Sequence, residues 1–540
     1  MTLQRIRWSL FLCALVVVGC GAQDPRLVVV LSVDQMRADY LDRFESQFTG
    51  GFRWLLDQGA VFTDAHQDHA ETSTSPGHAT IATGVYPSRH GIVANNFFVR
   101  AAARSIYSVA DSTHTILGFP GDAGRSPAKL LRPALGDWLK EQSPNSKVIS
   151  VALKDRSAIL MGGLHPDGAY WYHNATGRYV TSSYYRASYP AWVDEFNESG
   201  RPVRYYGREW IRLLPDDQYA ASREDAFAAE ADGIRTTFPH RLAGPGGTPD
   251  ARFFTSLRAT PFGDEMTLAF ARDIVVHEAL GQDDAPDILF LGLSAADILG
   301  HPYGPFSQEV QDYYLRMDRL LADFFAFLNQ QVGAEGYVVA LSADHGVLAM
   351  PEELARRGVE AARLSTRGLR NVVRDAVQEA VDHGIIERAP EVLFGAGVLF
   401  DFGGDEPPTA SLAHFRRNVA EKMLGHEAIA VAYTFDEVAE GAGTGAVFER
   451  YRRSFHPDRA GDIMFAGPEN HLLTSSPTGT SHGSPYDYDS HVPLIFAGPN
   501  IPAGRHDGFV QTVDIAATLA VLLGIEAPDD LDGEVLLARR

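Results

Sequence analysis

Three apolar runs constrain this chain more than any other feature. "RLVVVLSVDQ" leads into Asp34, "DILFLGLSAAD" ends in Asp297, and "GYVVALSADHG" leads into Asp344 and His345. Each run is nearly continuous and aliphatic rather than alternating, the pattern of strands buried on both faces. Polar, helix-forming sequence follows each one. The expectation is an α/β fold, a central mostly parallel sheet flanked by helices. In such sheets, ligands bind beyond the carboxyl ends of the strands. Three strands would therefore deliver aspartates to one edge. A fourth candidate strand, "VPLIFAGP", starts at Val492, and an amphipathic helix pattern, "VDIAATLAVLLGI", lies beyond it.

A chain of 540 residues can hold one large α/β domain with insertions, or two or three domains. One domain over residues 26–540 is the expectation. Residues from about 97 to 263 are richer in Tyr, Trp, Pro and Gly and lack a clear βα rhythm; they read as an insertion capping the active-site edge. Residues from about 350 to 470 read as a second insertion. The formal net charge of -22 excludes the global basic field of a nucleic-acid binder. It also repels anionic substrates at long range, so an anion site here needs local positive charge.

The N-terminus has the parts of an export signal. Arg5 and Arg7 form a basic start, and residues 8–19 form an apolar run too short to span a bilayer comfortably. "VVGC" resembles a bacterial lipoprotein signal, in which residues 1–19 are removed and Cys20 becomes the first, lipidated residue. The alternative is a plain secretory signal cut near "GAQD". Either way the expectation is an exported, periplasmic protein, with a membrane anchor through Cys20 in the first case. Cys13 and Cys20 are the only cysteines. Any metal in the mature domain must then be held by His, Asp or Glu.

Such groups are available. Asp34, Asp344 and His345 follow strands. Asp297 and His301 are four apart in "DILGH", which places both on one face if a helix starts there. "SHGSPYDYDSH" supplies His482 and His491. Singly these are ordinary: an Asp after a strand usually caps a helix. Their convergence on one sheet edge points to metal, and imidazole plus carboxylate without sulfur suits Zn²⁺. Six ligand side chains are too many for one tetrahedral ion. Two ions with three ligands each would keep open positions and could clamp a phosphoryl group between them.

With "VDQMRADYL", "SPGHATIATGVYPSRHGIVANN", "SADHGV" and "SHGSPYDYDSHVPLIFAGP" in order, nearly the whole mature chain resembles the alkaline phosphatase superfamily. That resemblance implies a bimetallo hydrolase with two Zn²⁺ per chain. It makes Thr74, two residues before the proline in "T-S-P-G-H", the nucleophile of a phosphothreonine mechanism. It implies one ion on Asp34, Asp344 and His345 with Thr74 bridging to it, and another on Asp297, His301 and His482. His491 is the competing choice for the last ligand. If residues 77–83 begin a helix, its N-terminus adds donors near the phosphate.

Two further segments bear on substrate. "GIVANN" places Asn95 where related enzymes have an asparagine that hydrogen-bonds a phosphoryl oxygen. "ALKDRSA" carries Lys154 and Arg156, a Lys-x-Arg similar to that of PafA-type bacterial alkaline phosphatases, where the pair contacts the extra charge of a monoester dianion. Catalytic and substrate-binding roles therefore fall to Thr74, Asn95, Lys154 and Arg156. The hallmark of the related nucleotide pyrophosphatase/phosphodiesterases is "T-F-P-N-H", from which "T-S-P-G-H" departs. His78 replaces the arginine of sulfatase motifs. The resemblance thus implies a phosphoric monoester hydrolase acting on small-molecule phosphate monoesters; a monomer is expected, and the acidic charge argues against a nucleic-acid partner. The alternative is a phosphodiesterase or nucleotide pyrophosphatase of the same superfamily.

Overall fold

The computed structural model describes residues 24–538 apart from 232, 234 and 245. The leader, Cys20 and its lipidation lie outside the described residues. Within them, no helix is long and apolar enough to cross a membrane.

The central sheet has nine strands: β1 Leu27–Val33, β2 Ala60–His66, β3 Val148–Ala152, β4 Gly168–Tyr172, β5 Tyr179–Val180, β6 Asp287–Leu293, β7 Tyr337–Ser342, β8 His491–Ala497 and β9 Gly504–Gln511. Their spatial order is β9-β2-β8-β7-β1-β6-β3-β4-β5. The three continuous apolar runs are the centre of this sheet. β1 lies parallel between β7 and β6, with Ser32 opposite both Ser342 and Gly292. All seven β1 residues are buried. Leu27, Val29, Leu31 and Val33 pack into the core on one face, and Val28 and Val30 into the core on the other. A strand with both faces covered has no polar side, which is why the run does not alternate.

β8 runs antiparallel to both β7 and β2. Its first residue, His491, pairs with His66 at the end of β2. The segment preceding β8 therefore arrives at the same edge that the parallel strands leave. The C-terminal helix Asp514–Leu523 buries nine of its ten residues, so it is covered all round rather than amphipathic.

Residues 97–263 do not form a single cap. They contribute β3, β4 and β5 to the central sheet, β3 pairing with β6 and β4 with β3, both parallel. These strands have two to five residues, and the helix between β3 and β4, Asp155–Gly162, has eight. A βα unit this compressed carries too few periods to stand out in sequence. Within 350–470, a separate four-stranded antiparallel sheet (Glu391–Gly395, Gly397–Asp401, Ile463–Ala466, Val431–Thr434) packs with two helices around its own apolar core.

Candidate active site

The aspartates emerge together because their strands are in register. Asp34 follows β1 and donates its backbone N–H to the carbonyl of Leu293, the last residue of β6. Asp344 and His345 follow β7. Beyond β2, helix α1 (Thr74–Thr83) begins at Thr74, three residues earlier than expected. Gly77 lets this helix seat against the β7 loop: a Cβ there would lie 2.1 Å from the carbonyl oxygen of Asp344. Helix α2 (Asp155–Gly162) starts just after Lys154, and α3 (Ala295–Tyr303) carries Asp297 and His301 on one face.

The side chains of Asp34, Asp344 and His345 offer ligand atoms within 4.8 Å of one another, and so do those of Asp297, His345 and His482. His345 thus borders both groups. His301 Nε2 lies 3.2 Å from Asp297 Oδ1, and His482 Nε2 lies 3.3 Å from the same oxygen. His301, His345 and His482 share one orientation device. Each places Nδ1 at 2.8–2.9 Å from a backbone carbonyl, that of Thr480, Gly346 and Thr72 respectively. A carbonyl only accepts, so Nδ1 carries a proton, and Nε2 is the ring atom turned toward the carboxylates. Metal-binding histidines are held in this way. Asp34 Oδ1 and His345 Nε2 are buried without a hydrogen-bond partner. Buried charges of this kind are paired or coordinate metal. The donor set fits a divalent cation in each group.

The electrostatics follow. Burial, then the like charge of Asp344, pushes Asp34 well above the usual carboxylate range. Burial opposes ionisation of Asp297 and Asp344 too. His301 and Lys154 outweigh it at Asp297, and His345 and His78 at Asp344, so both sit below their ordinary range. Burial pushes His345 down to about 3, keeping its imidazole neutral and a competent ligand.

Thr74 lies at the centre. Its Oγ1 is 3.2 Å from both Lys154 Nζ and Arg156 Nη2. Lys154 Nζ also lies 2.7 Å from Asp34 Oδ2 and 2.6 Å from Asp297 Oδ2, spanning the two groups. The Tyr107 hydroxyl accepts from Arg156 Nη1 at 3.4 Å. Asn95 Oδ1 accepts the Ser75 backbone N–H at 2.8 Å, which leaves the amide NH₂ as its available donor.

His491 goes elsewhere. Its Nε2 donates to the carbonyl of Thr63 at 2.9 Å, and its ring stacks on His66 at 4.8 Å and 11°. Asp64, His66 and His491 bring ligand atoms together, but the His66 nitrogens lie 3.1 Å from Ser490 Oγ and 3.0 Å from Asp64 Oδ1, and His491 Nε2 is taken by Thr63.

Two residues that the sequence reading missed hold the site together. Gln35 donates its backbone N–H to Asp344 Oδ1 at 3.2 Å and its Nε2–H to Asp297 Oδ1 at 2.8 Å. It does so from a left-handed backbone, φ 65°. Nothing local in "VDQM" signals that conformation. Asp264 accepts from Tyr313 Oη at 2.7 Å and from the Ala295 backbone N–H at 2.9 Å, fixing the start of α3. Burial pushes its carboxyl up to about 7. Its signal in sequence is one of three acids in the helix Pro261–His277, which nothing in the pattern sets apart.

Residues 28–490 match the model of the type I phosphodiesterase / nucleotide pyrophosphatase family. The chain is 34% identical to alkaline phosphatase PafA of Elizabethkingia meningoseptica, over 94% of this chain and 93% of that one. It is 32% identical to alkaline phosphatase PhoV of Synechococcus elongatus, over 95% and 92% respectively. A crystal structure of wild-type PafA superposes with a TM-score of 0.85 at 33% identity, covering 96% of this chain and 99% of that chain.

Proposed function

The chain belongs to the type I phosphodiesterase / nucleotide pyrophosphatase family, and from that premise we propose that it is an alkaline phosphatase, hydrolysing phosphate monoesters through a phosphothreonine intermediate on Thr74. The observation that carries this reading is the pair Lys154 and Arg156, both reaching Thr74 Oγ1 beside two carboxylate–imidazole groups. A monoester dianion carries one more negative charge than a diester, and its equatorial oxygens remain highly charged in the transition state. Two cations aimed at those oxygens favour the monoester.

Asp34, Asp344 and His345 would hold one zinc ion beside Thr74, and Asp297, His301 and His482 a second. When bound, divalent cations supply the positive charge that stabilises a Thr74 alkoxide and the phosphoryl oxygens. Thr74 Oγ attacks phosphorus in line and the alcohol leaves from the opposite face. Lys154 and Arg156 hold two phosphoryl oxygens, the Asn95 amide donates to a third, and the N-terminus of α1 turns its positive end toward the group. His78 braces the site, with Nδ1 2.8 Å from the Thr74 carbonyl and 3.2 Å from Asp344 Oδ2. Water then cleaves the phosphothreonine and releases inorganic phosphate. The basic and apolar leader supports export to the periplasm, with anchoring through Cys20 if its thiol is lipidated.

The test pairs p-nitrophenyl phosphate with bis-p-nitrophenyl phosphate on purified, zinc-loaded protein, alongside metal analysis. The expected result is a higher kcat/KM for the monoester and about two zinc ions per chain. Preference for the bis-ester would replace this reading with a phosphodiesterase.

A further inference from the structure

Beside Lys154 and Arg156 lies a cavity of about 690 Å³, walled by Trp171, Tyr172, Arg125 and Arg258 among others. That size suits a small ligand. Its charges can be accounted for one at a time. Lys154 is engaged by Asp34 and Asp297. Arg125 Nε pairs with Asp155 Oδ2 at 2.6 Å, and Asp155 also accepts from Tyr107 Oη and from the Arg156 backbone N–H. His173 pairs with Asp122 at 2.9 Å. Both acids of the cavity are thereby taken.

Arg156 and Arg258 remain without a carboxylate partner among the described residues. The Arg258 side chain makes no hydrogen bond there, and its Nε is buried. It follows helix Ala251–Leu257 and is half-buried. Burial first, and then the like charge of Arg156, hold its guanidinium below its ordinary range, yet an arginine in protein stays protonated. Acids outnumber bases 69 to 47 in this chain, so the lack of a partner is not a shortage of carboxylates. Two half-buried guanidiniums, close enough to repel, face one cavity whose acids are already spoken for. An anion placed there would satisfy both.

This inference rests on the monoesterase reading. A phosphoryl group on Thr74 puts its oxygens against Lys154 and Arg156, and the alcohol beyond it has this cavity alongside. We infer that the cavity is a second anion subsite and that Arg258 binds a second phosphate carried by the alcohol of the substrate. Trp171 and Tyr172 supply a wall for the carbon skeleton between the two phosphates. The favoured substrates are bisphosphorylated small molecules.

The experiment uses the full, zinc-loaded chain with fructose 1,6-bisphosphate and fructose 6-phosphate, in wild type, Arg258→Ala and Arg258→Lys. Wild type is expected to favour the bisphosphate in kcat/KM. Arg258→Ala should shrink that ratio roughly tenfold, the size of one charge-assisted hydrogen bond, mostly through KM, and Arg258→Lys should restore part of it. Raising the salt concentration should shrink the wild-type ratio more than that of Arg258→Ala, a readout that does not depend on the variant being as stable as wild type. An unchanged ratio, or equal losses on both substrates, would overturn the inference; equal losses would make Arg258 a support for Arg156 instead. Wild type without any monoesterase activity would overturn the underlying reading and the subsite with it.

Discussion

Arg156→Ala is the sharpest probe of the proposed chemistry, because the structure isolates what it removes. Arg156 has no carboxylate partner to strand. Asp155 keeps Tyr107 and Arg125 when the guanidinium goes. Lys154→Ala is less clean, since it leaves Asp34 and Asp297 buried without their shared ammonium. The guanidinium can offer two charge-assisted hydrogen bonds to phosphoryl oxygens, each about 1.5–3 kcal/mol. A monoester dianion that loses about 3 kcal/mol in the transition state reacts roughly 150-fold more slowly. A diester has one fewer charged oxygen and should lose about one bond, roughly tenfold. The assay is kcat/KM for p-nitrophenyl phosphate and for bis-p-nitrophenyl phosphate at fixed ionic strength, with Arg156→Lys as a partial rescue. The ratio of the two losses should exceed about ten on these magnitudes. Equal losses on both esters would refute the charge argument, because a residue that only shapes the pocket does not distinguish one negative charge from two.

Three other perturbations test separate parts of the account. Thr74→Ala should lower monoesterase activity by at least about 10³-fold, the minimum expected of a deleted nucleophile, with metal content and melting temperature retained; wild-type turnover in that variant would exclude Thr74. Gly77→Ala should cost about 1–3 kcal/mol by overpacking and depress kcat on the order of 10²-fold by moving α1 off the β7 loop; a variant that matches wild type in both unfolding and turnover would show that the close approach of Gly77 to Asp344 is dispensable. Glu230 is pushed up to about 9, by burial first and then by Glu309. A raised carboxyl favours the protonated native state, so its contribution is full below the unfolded value of 4.5 and is lost as pH climbs toward 9. Thermal unfolding at pH 6 and pH 9 should therefore show a shallower decline in Glu230→Gln than in wild type, and parallel declines would contradict the burial argument.

Much of the sheet and much of the site can be read along the chain. The runs ending at Asp34, Asp297 and Asp344 announce double-faced burial by lacking alternation, and in register they deliver three carboxylates to one edge. The spacing of Asp297 and His301 matches one helix face, and α3 bears it out. The compressed units of β3 to β5 were the weak point, because strands of two to five residues carry no clear period.

Local quantities are legible along the chain: burial from continuity, helix faces from spacing, and the chemical types of the available ligands. Which distant segments meet depends on the packing of the whole chain. The antiparallel entry of β8 brings His482 to Asp297 and turns His491 toward Thr63 instead. The left-handed turn at Gln35 ties two carboxylates together, and the end of helix Ala251–Leu257 sets Arg258 beside a residue about a hundred positions away. Periodicity reports a residue's immediate neighbours in its own element. Strand order, strand direction and backbone handedness come from the packing of the whole chain, and they place each charge beside its partner or leave it facing a cavity without one.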